Sequence, residues 1–123
     1  MQVMIIEDEQ DILLLYRDYL EKKGHSVVVT STIADEALLD YKIYVPDLVI
    51  IDYKLPGKID GIKAAKEILT QNQTARILLV TAFESIKKQI ESDKFFLGKK
   101  IRLLLKPVRL PDLSKAILDV TRD

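Results

Sequence analysis

The sequence contains no cysteine, so disulfides and thiolate metal sites are excluded and a reducing compartment suits it. Its single histidine, His25, cannot build a histidine-based metal site alone. Net charge is missing too. The 19 basic residues balance 19 acidic ones, which removes any general pull toward nucleic acid or an anionic membrane. Any charge-based function must therefore come from local clusters. No apolar run approaches the roughly 20 residues needed to span a bilayer. The opening stretch from Met1 to Ile6 is too short for a signal peptide before it meets acids. Internal repeats, low-complexity tracts and Pro/Gly/Ser linkers are also absent. Together these absences predict one domain over residues 1–123, cytoplasmic, with no membrane association and no direct nucleic acid binding.

What the sequence does have is alternation. Short apolar runs at Val3–Ile6, Val27–Val29, Leu48–Ile51, Ile77–Val80 and Leu103–Leu105 read as strands. Between them lie stretches with helical spacing. Ile12, Leu13, Leu15, Tyr16, Tyr19 and Leu20 mark the first helix, stopped near Gly24. Ser31 or Thr32 is expected to cap a second helix containing Ile33, Ala34, Ala37, Leu38 and Tyr41, with a break at Pro46–Asp47. Ile62, Ala65, Ile68 and Leu69 mark the third. Ile86, Ile90 and Leu97 mark a fourth, expected to end near Gly98. Pro111 sits near the start of a fifth that carries Leu113, Ala116, Ile117 and Val120. Strands apolar at consecutive positions, alternating with amphipathic helices, predict an α/β fold: a five-stranded parallel sheet covered by helices on both faces. The flavodoxin-like strand order 2-1-3-4-5 is expected, with the functional site beyond the carboxyl ends of the strands.

The residues at those ends are Glu7, Asp8 and Glu9 after the first strand, Asp52 after the third, Thr81 after the fourth and Lys106 after the fifth. Crowded carboxylates raise one another's pKa unless a cation relieves them. An all-oxygen donor set without His or Cys selects a hard ion, Mg²⁺ before Ca²⁺. Lys106 adds a compact positive charge and Thr81 a hydroxyl donor. Metal, lysine and hydroxyl together suit a phosphoryl group, and a carboxylate among them can act as nucleophile.

Four segments carry a family likeness: Ile5-Ile6-Glu7-Asp8-Glu9, Val49 to Gly57 with Asp52 at its centre, Leu79-Val80-Thr81-Ala82, and Leu104-Leu105-Lys106-Pro107. In order and spacing the chain resembles the receiver domains of two-component response regulators, including the chemotaxis receivers. The resemblance implies that Asp52 is the phosphoacceptor, that Glu7, Asp8, Asp52 and the backbone carbonyl of Lys54 hold Mg²⁺, that Thr81 and Lys106 bind the phosphoryl group, and that the Lys106–Pro107 bond is cis. It implies a sensor histidine kinase or phosphotransfer protein as donor, and a switched surface on the fourth helix, fifth strand and last helix for a downstream partner. It leaves a homodimer through that surface open. Such a chain promotes its own phosphotransfer and dephosphorylation and does not turn over a separate substrate. The alternative within the family is a degenerate receiver, an interaction module independent of phosphorylation.

The chain departs from the family pattern at three places. Glu7 stands where aspartate is commoner. Leu103 stands where many receivers carry the Tyr or Phe of an aromatic switch. The loop from Pro56 to Asp60–Gly61 is longer by a residue than the commonest form. Lys54 and Phe83 match positions that tune phosphoryl lifetime in the family. A nucleotide- or flavin-binding domain would need a glycine-rich loop where Glu7-Asp8-Glu9-Gln10 stands. A dehalogenase-like phosphatase would need its nucleophile on the first strand in an Asp-x-Asp pattern, which Glu7-Asp8-Glu9 does not match. His25 is expected to be a solvated turn residue. Lys87, Lys88, Lys94, Lys99, Lys100 and Arg102 are expected to form a solvated face, with a docking surface as the alternative. Of Phe95 and Phe96, one is expected in the core and the other exposed.

Overall fold

The computed structural model describes residues 1–122; Asp123, the last residue of the domain expected over 1–123, lies outside the described residues. Five strands and five helices alternate: β1 (Gln2–Ile6), α1 (Gln10–Lys22), β2 (Ser26–Ser31), α2 (Ala37–Tyr44), β3 (Leu48–Asp52), α3 (Gly61–Gln71), β4 (Arg76–Thr81), α4 (Glu84–Ser92), β5 (Lys100–Leu105) and α5 (Leu110–Thr121), with a 3₁₀ turn at Lys94–Phe96 before β5. The strands form one sheet in the order β2-β1-β3-β4-β5. Every pairing is parallel. This is the expected architecture.

The strands obey the period of two that a pleated strand imposes. Met4, Ile6, Val49, Ile51, Ile77 and Leu79 face one core, which also holds Ala37, Tyr41, Ala65, Ile68, Ile86 and Phe96 from the α2–α3–α4 side. Val3, Ile5, Leu48, Ile50, Leu78 and Val80 face the other, closed by Leu13, Tyr16 and Leu20 of α1 and Leu113, Ile117 and Val120 of α5. Both faces of β1, β3 and β4 are therefore sealed from water. Their carboxyl ends are where the buried polar residues Glu7, Asp52 and Thr81 appear.

Local structure departs from the sequence expectations at several points. α2 begins at Ala37, not near Ile33, because β2 runs on to Ser31. The Ser31 hydroxyl is used in a tight local turn, donating to the Ile33 carbonyl at 2.9 Å, so it caps no helix. α2 ends at Tyr44; the capping residue Val45 takes a left-handed φ of 45°, costly for a β-branched residue, and Pro46 follows. α4 ends at Ser92 and does not reach Gly98, since Asp93 leaves the helix, accepts from the Phe95 amide at 2.9 Å and pairs with Lys66 at 2.8 Å. Leu97, expected on the apolar stripe of α4, is 81% exposed; on α1, Leu15 is exposed as well. Phe96 enters the core while Phe95 is half-buried beneath the ammonium groups of Lys66 and Lys99, at 5.6 and 5.9 Å. His25 is half-buried, and its Nδ1 lies 3.0 Å from the Met1 amino group, so it is not simply solvated.

Candidate phosphoacceptor site

Strand pairing brings the candidate residues together. Asp52 ends β3, Thr81 ends β4, and Glu7 and Asp8 follow β1. The backbone continues the sheet geometry past the strand ends: Glu7 N–H donates to Ser31 O at 2.9 Å, Tyr53 N–H to Val80 O at 2.7 Å and Lys106 N–H to Thr81 O at 2.8 Å. The backbone at Glu7, just after Asp52, and at Lys106 is thus held by main-chain bonds to a neighbouring strand. A cleft over this edge is lined by Asp8, Asp52, Lys54, Pro56, Thr81, Phe83 and Lys106, among others.

Lys106 is the electrostatic centre. Its Nζ donates to Asp52 Oδ2 at 2.9 Å and to Glu7 Oε1 at 3.1 Å. Glu7 is 2% exposed and Asp52 7%. Carboxylates this deep need a charged partner, because removal from water penalises the ionised form. Glu7, Asp8 and Asp52 can bring one oxygen each within 4.8 Å of one another, and among the described residues they form the acidic group fit to hold a metal. Burial, then the hydrogen bond to Asp52, pushes Glu7 up to about 7, with Lys106 opposing. The Lys106 ammonium is held above its usual range: burial opposes this, and the hydrogen bonds and charges of Asp52 and Glu7 override it.

Several contacts had no signal in the sequence. The Glu7–Lys106 pair joins residues 99 positions apart. The Tyr16 phenol is pushed up to about 12 by burial and then by the charge of Glu7, which places α1 against the acidic edge. Thr81 Oγ1 accepts from the Phe83 amide at 3.0 Å, leaving its own O–H free to donate elsewhere. Phe83 is 44% exposed; its ring meets Tyr53 edge-on at 6.4 Å and lies 5.9 Å from Lys54 Nζ. Gly61 opens α3 against the backbone of Asp52 itself: a Cβ there would lie 2.3 Å from Asp52 O. Leu103, in place of the family's aromatic, is half-buried against the α2–α3–α4 core. The Lys106–Pro107 bond is cis, as the resemblance implies.

Among the described residues no helix is long and apolar enough to cross a membrane. The chain matches the model of the response regulator receiver domain over residues 3–118. It is similar to the transcriptional regulatory protein PdtaR of Mycobacterium tuberculosis, at 34% identity over 94% of this chain, and spans about half (54%) of that relative's length. It is similar to the chemotaxis protein CheY of Bacillus subtilis at 35% identity, over 66% of this chain and 67% of CheY. Among solved structures it resembles the response regulator TrrA of Thermotoga maritima in complex with Mg²⁺ and BeF, at 26% identity, 97% coverage of both chains and a TM-score of 0.78. With the sheet order and the converging strand ends, the match makes this chain a member of the response-regulator receiver domain family, a signalling domain and not a turnover enzyme.

Proposed function

We propose that this chain is a working phosphoacceptor: it takes a phosphoryl group onto Asp52 from a sensor histidine kinase or a phosphotransfer protein. The observation that carries this reading is Lys106 Nζ bridging Asp52 and Glu7 at 2.9 and 3.1 Å beside the Asp8 carboxylate. A pure interaction module has no need of a half-buried lysine held against two buried carboxylates, an arrangement costly to desolvate.

The donor set fits Mg²⁺. It is all oxygen and anionic, and burial, then the hydrogen bond to Asp52, pushes its Glu7 carboxyl up to about 7. Glu7, Asp8, Asp52 and the Lys54 carbonyl would hold the ion, and once bound it supplies positive charge that neutralises phosphoryl oxygens. TrrA, similar over nearly its whole length, is a complex with Mg²⁺ and BeF. The rest of the work falls to the side chains. An Asp52 oxygen attacks phosphorus in line; the O–P bond forms as the N–P bond of phosphohistidine breaks, and the imidazole leaves with that electron pair. Lys106 exchanges its carboxylate contacts for a phosphoryl oxygen, and the free Thr81 O–H donates to another.

The aspartyl phosphate adds close to two negative charges at a buried edge. It shifts the balance between two packings only as far as it stabilises one of them more. The readout surface is the groove between α4, β5 and α5, lined by Lys87, Leu103, Leu105, Val108 and Lys115 among others. It is offered to a downstream protein or to a second copy of the chain. A donor kinase domain inside the cell places the chain in the cytoplasm. Intact mass after incubation with Mg²⁺ and acetyl phosphate checks the reading. A Mg²⁺-dependent gain of one phosphoryl group (about 80 Da, one covalent phosphorylation), absent in Asp52→Ala, supports it. No gain from acetyl phosphate or from a phosphohistidine donor, with Mg²⁺ shown to bind, would sink it.

A further inference from the structure

The loop from Tyr53 to Gly61 carries Lys54, Leu55 and Pro56 into the wall of the acceptor cleft. Its ends are fixed by main-chain bonds, Tyr53 N–H to Val80 O at 2.7 Å and Gly61 N–H to Tyr53 O at 2.8 Å. Asp60 caps α3 by accepting from the Lys63 amide at 2.8 Å. Leu55 and Ile59 pack against the core below. What holds the tip comes from another part of the chain. The Asp35 carboxylate, in the β2–α2 loop, accepts from the Lys58 amide at 2.9 and 3.1 Å and from the Ile59 amide at 3.4 Å. Gly57 turns the tip at φ 104°, and a Cβ there would lie 2.6 Å from Asp35 Oδ1. The tip is therefore shaped around that carboxylate, with glycine at the point of closest approach. Among the described residues, no other hydrogen bond reaches residues 54–59.

We propose that Asp35 is a positioning residue for the acceptor site: by latching Gly57–Ile59 it fixes the segment Lys54–Pro56, and with it the Lys54 carbonyl and the cleft wall. Asp35 is not among the residues that line the cleft, and its hydrogen bonds go to the Lys58 and Ile59 amides. It acts through the loop alone, pinned at Tyr53 on one side and at the tip on the other. This rests on the receiver reading above, in which the Lys54 carbonyl holds Mg²⁺. The latch also accounts for how the longer loop keeps its shape: the additional backbone amides at the tip have an acceptor waiting for them. It explains why the residues before α2 stay out of the helix, since Asp35 faces the neighbouring loop.

The test compares the wild-type chain with Asp35→Ala, Asp35→Asn and Asp47→Ala. Asp47→Ala is the control for a lost side-chain bond elsewhere, since Asp47 accepts from the Gln2 amide at 2.8 Å and lies outside the cleft. Mg²⁺ affinity is measured by calorimetry, amide hydrogen exchange of residues 54–59 in the metal-free chain, and acetyl phosphate labelling at low and saturating Mg²⁺. Asp35→Ala should weaken Mg²⁺ binding about threefold or more and speed exchange in the loop. It should slow labelling at low Mg²⁺ and recover most of the rate at saturation. Asp35→Asn keeps an acceptor oxygen and should restore much of the affinity. Asp47→Ala should leave Mg²⁺ affinity unchanged. A folded Asp35→Ala chain with wild-type Mg²⁺ affinity overturns the latch alone. So does an equal loss in Asp47→Ala, which would reveal general destabilisation. A wild-type chain that neither binds Mg²⁺ nor labels overturns the receiver reading and the latch together.

Discussion

Lys106 at the end of β5 reaches Asp52 at the end of β3, 54 positions earlier, at 2.9 Å and across the whole width of β4. The same ammonium holds Glu7 of the β1 end at 3.1 Å. One ammonium thus pairs, in metal-free protein, with two of the carboxylates that a divalent ion would have to share. Lys106→Ala should then separate two properties. With its internal competitor gone, Mg²⁺ should bind several-fold more tightly, while acetyl phosphate labelling of Asp52 should fall. Without Mg²⁺ at pH 8, two buried carboxylates would face each other unpaired, and urea denaturation should show a loss of up to about 3 kcal/mol. A variant that loses Mg²⁺ affinity and labelling in parallel would show Lys106 to be a scaffold and not a competitor.

Glu7 sets the pH dependence. Burial, joined by the hydrogen bond to Asp52, raises it from the ordinary 4.5 to about 7 in the folded chain. A carboxyl whose folded pKa is raised favours folding when protonated. Its contribution is fully present below the unfolded value and is lost as pH rises through the folded one. Metal-free stability should therefore decline from about pH 4.5 and level off above about pH 7. Mg²⁺ requires the ionised form, so binding below pH 7 should release a proton and apparent affinity should climb through neutrality. Calorimetry in buffers of different ionisation enthalpy measures the released proton directly. A flat affinity between pH 6 and 8 would contradict the raised pKa.

The sheet and the polar edge that gathers the candidate residues were legible in the sequence for the same reason. β1, β3 and β4 are buried on both faces, so their apolar runs are continuous and each stops at a charged or hydroxyl residue that stays buried at the strand end. Glu7, Asp52 and Thr81 announce themselves as the first polar residues after such runs, with Asp8 next to Glu7 and Lys106 at the end of the less buried β5. What stayed hidden depends on partners distant in sequence. Asp35 reads as an ordinary loop acid; its role comes from the Lys58 and Ile59 amides, 23 and 24 positions on. Asp93 reads as one more polar residue of a long α4, yet its pairing with Lys66 of α3 and with the Phe95 amide ends the helix early. Ser31 has the chemistry of a helix cap, but the neighbouring strand β1 draws it into β2 through pairing with Ile6. Local preference was overridden wherever tertiary contacts made a competing use of the same side chain.

Two glycines separate strain from collision. Gly24 sits at φ 91° with nothing within 4 Å of where a Cβ would stand, so Gly24→Ala should cost only the left-handed conformation, about 1 kcal/mol. A Cβ at Gly61 would meet Asp52 O at 2.3 Å and Tyr53 Cα at 2.8 Å, all backbone, which cannot swing aside. Gly61→Ala should cost about 2–3 kcal/mol of overpacking. Because the displaced backbone is that of the acceptor, labelling of the folded fraction should fall as well. Chemical denaturation of both variants, with labelling corrected for folded fraction, makes the comparison. Equal costs would mean that the start of α3 can move away from β3.

Phe83 stands at the mouth of the cleft that holds Asp52 and is expected to limit how water reaches it. Its ring is 44% exposed, lines the cleft, and is held edge-on by Tyr53 and beneath the Lys54 ammonium at 5.9 Å. Nothing in the core depends on it, so Phe83→Ala should change stability by less than about 1 kcal/mol, as for a mostly solvent-facing contact. The aspartyl phosphate, by contrast, would lose the apolar cover at the mouth of the cleft, where exclusion of water suppresses hydrolysis. Its lifetime should shorten by about threefold, equivalent to ~0.7 kcal/mol in the barrier. Removing Lys54 in a Lys54→Ala chain should have a smaller effect in the same direction, because the ring keeps Tyr53 as its second support. Phosphoryl loss followed by intact mass after removal of acetyl phosphate gives the three rates side by side. An unchanged lifetime in Phe83→Ala would mean that water enters from another side, and would turn attention to the opposite wall of the cleft at Asp8 and Glu9.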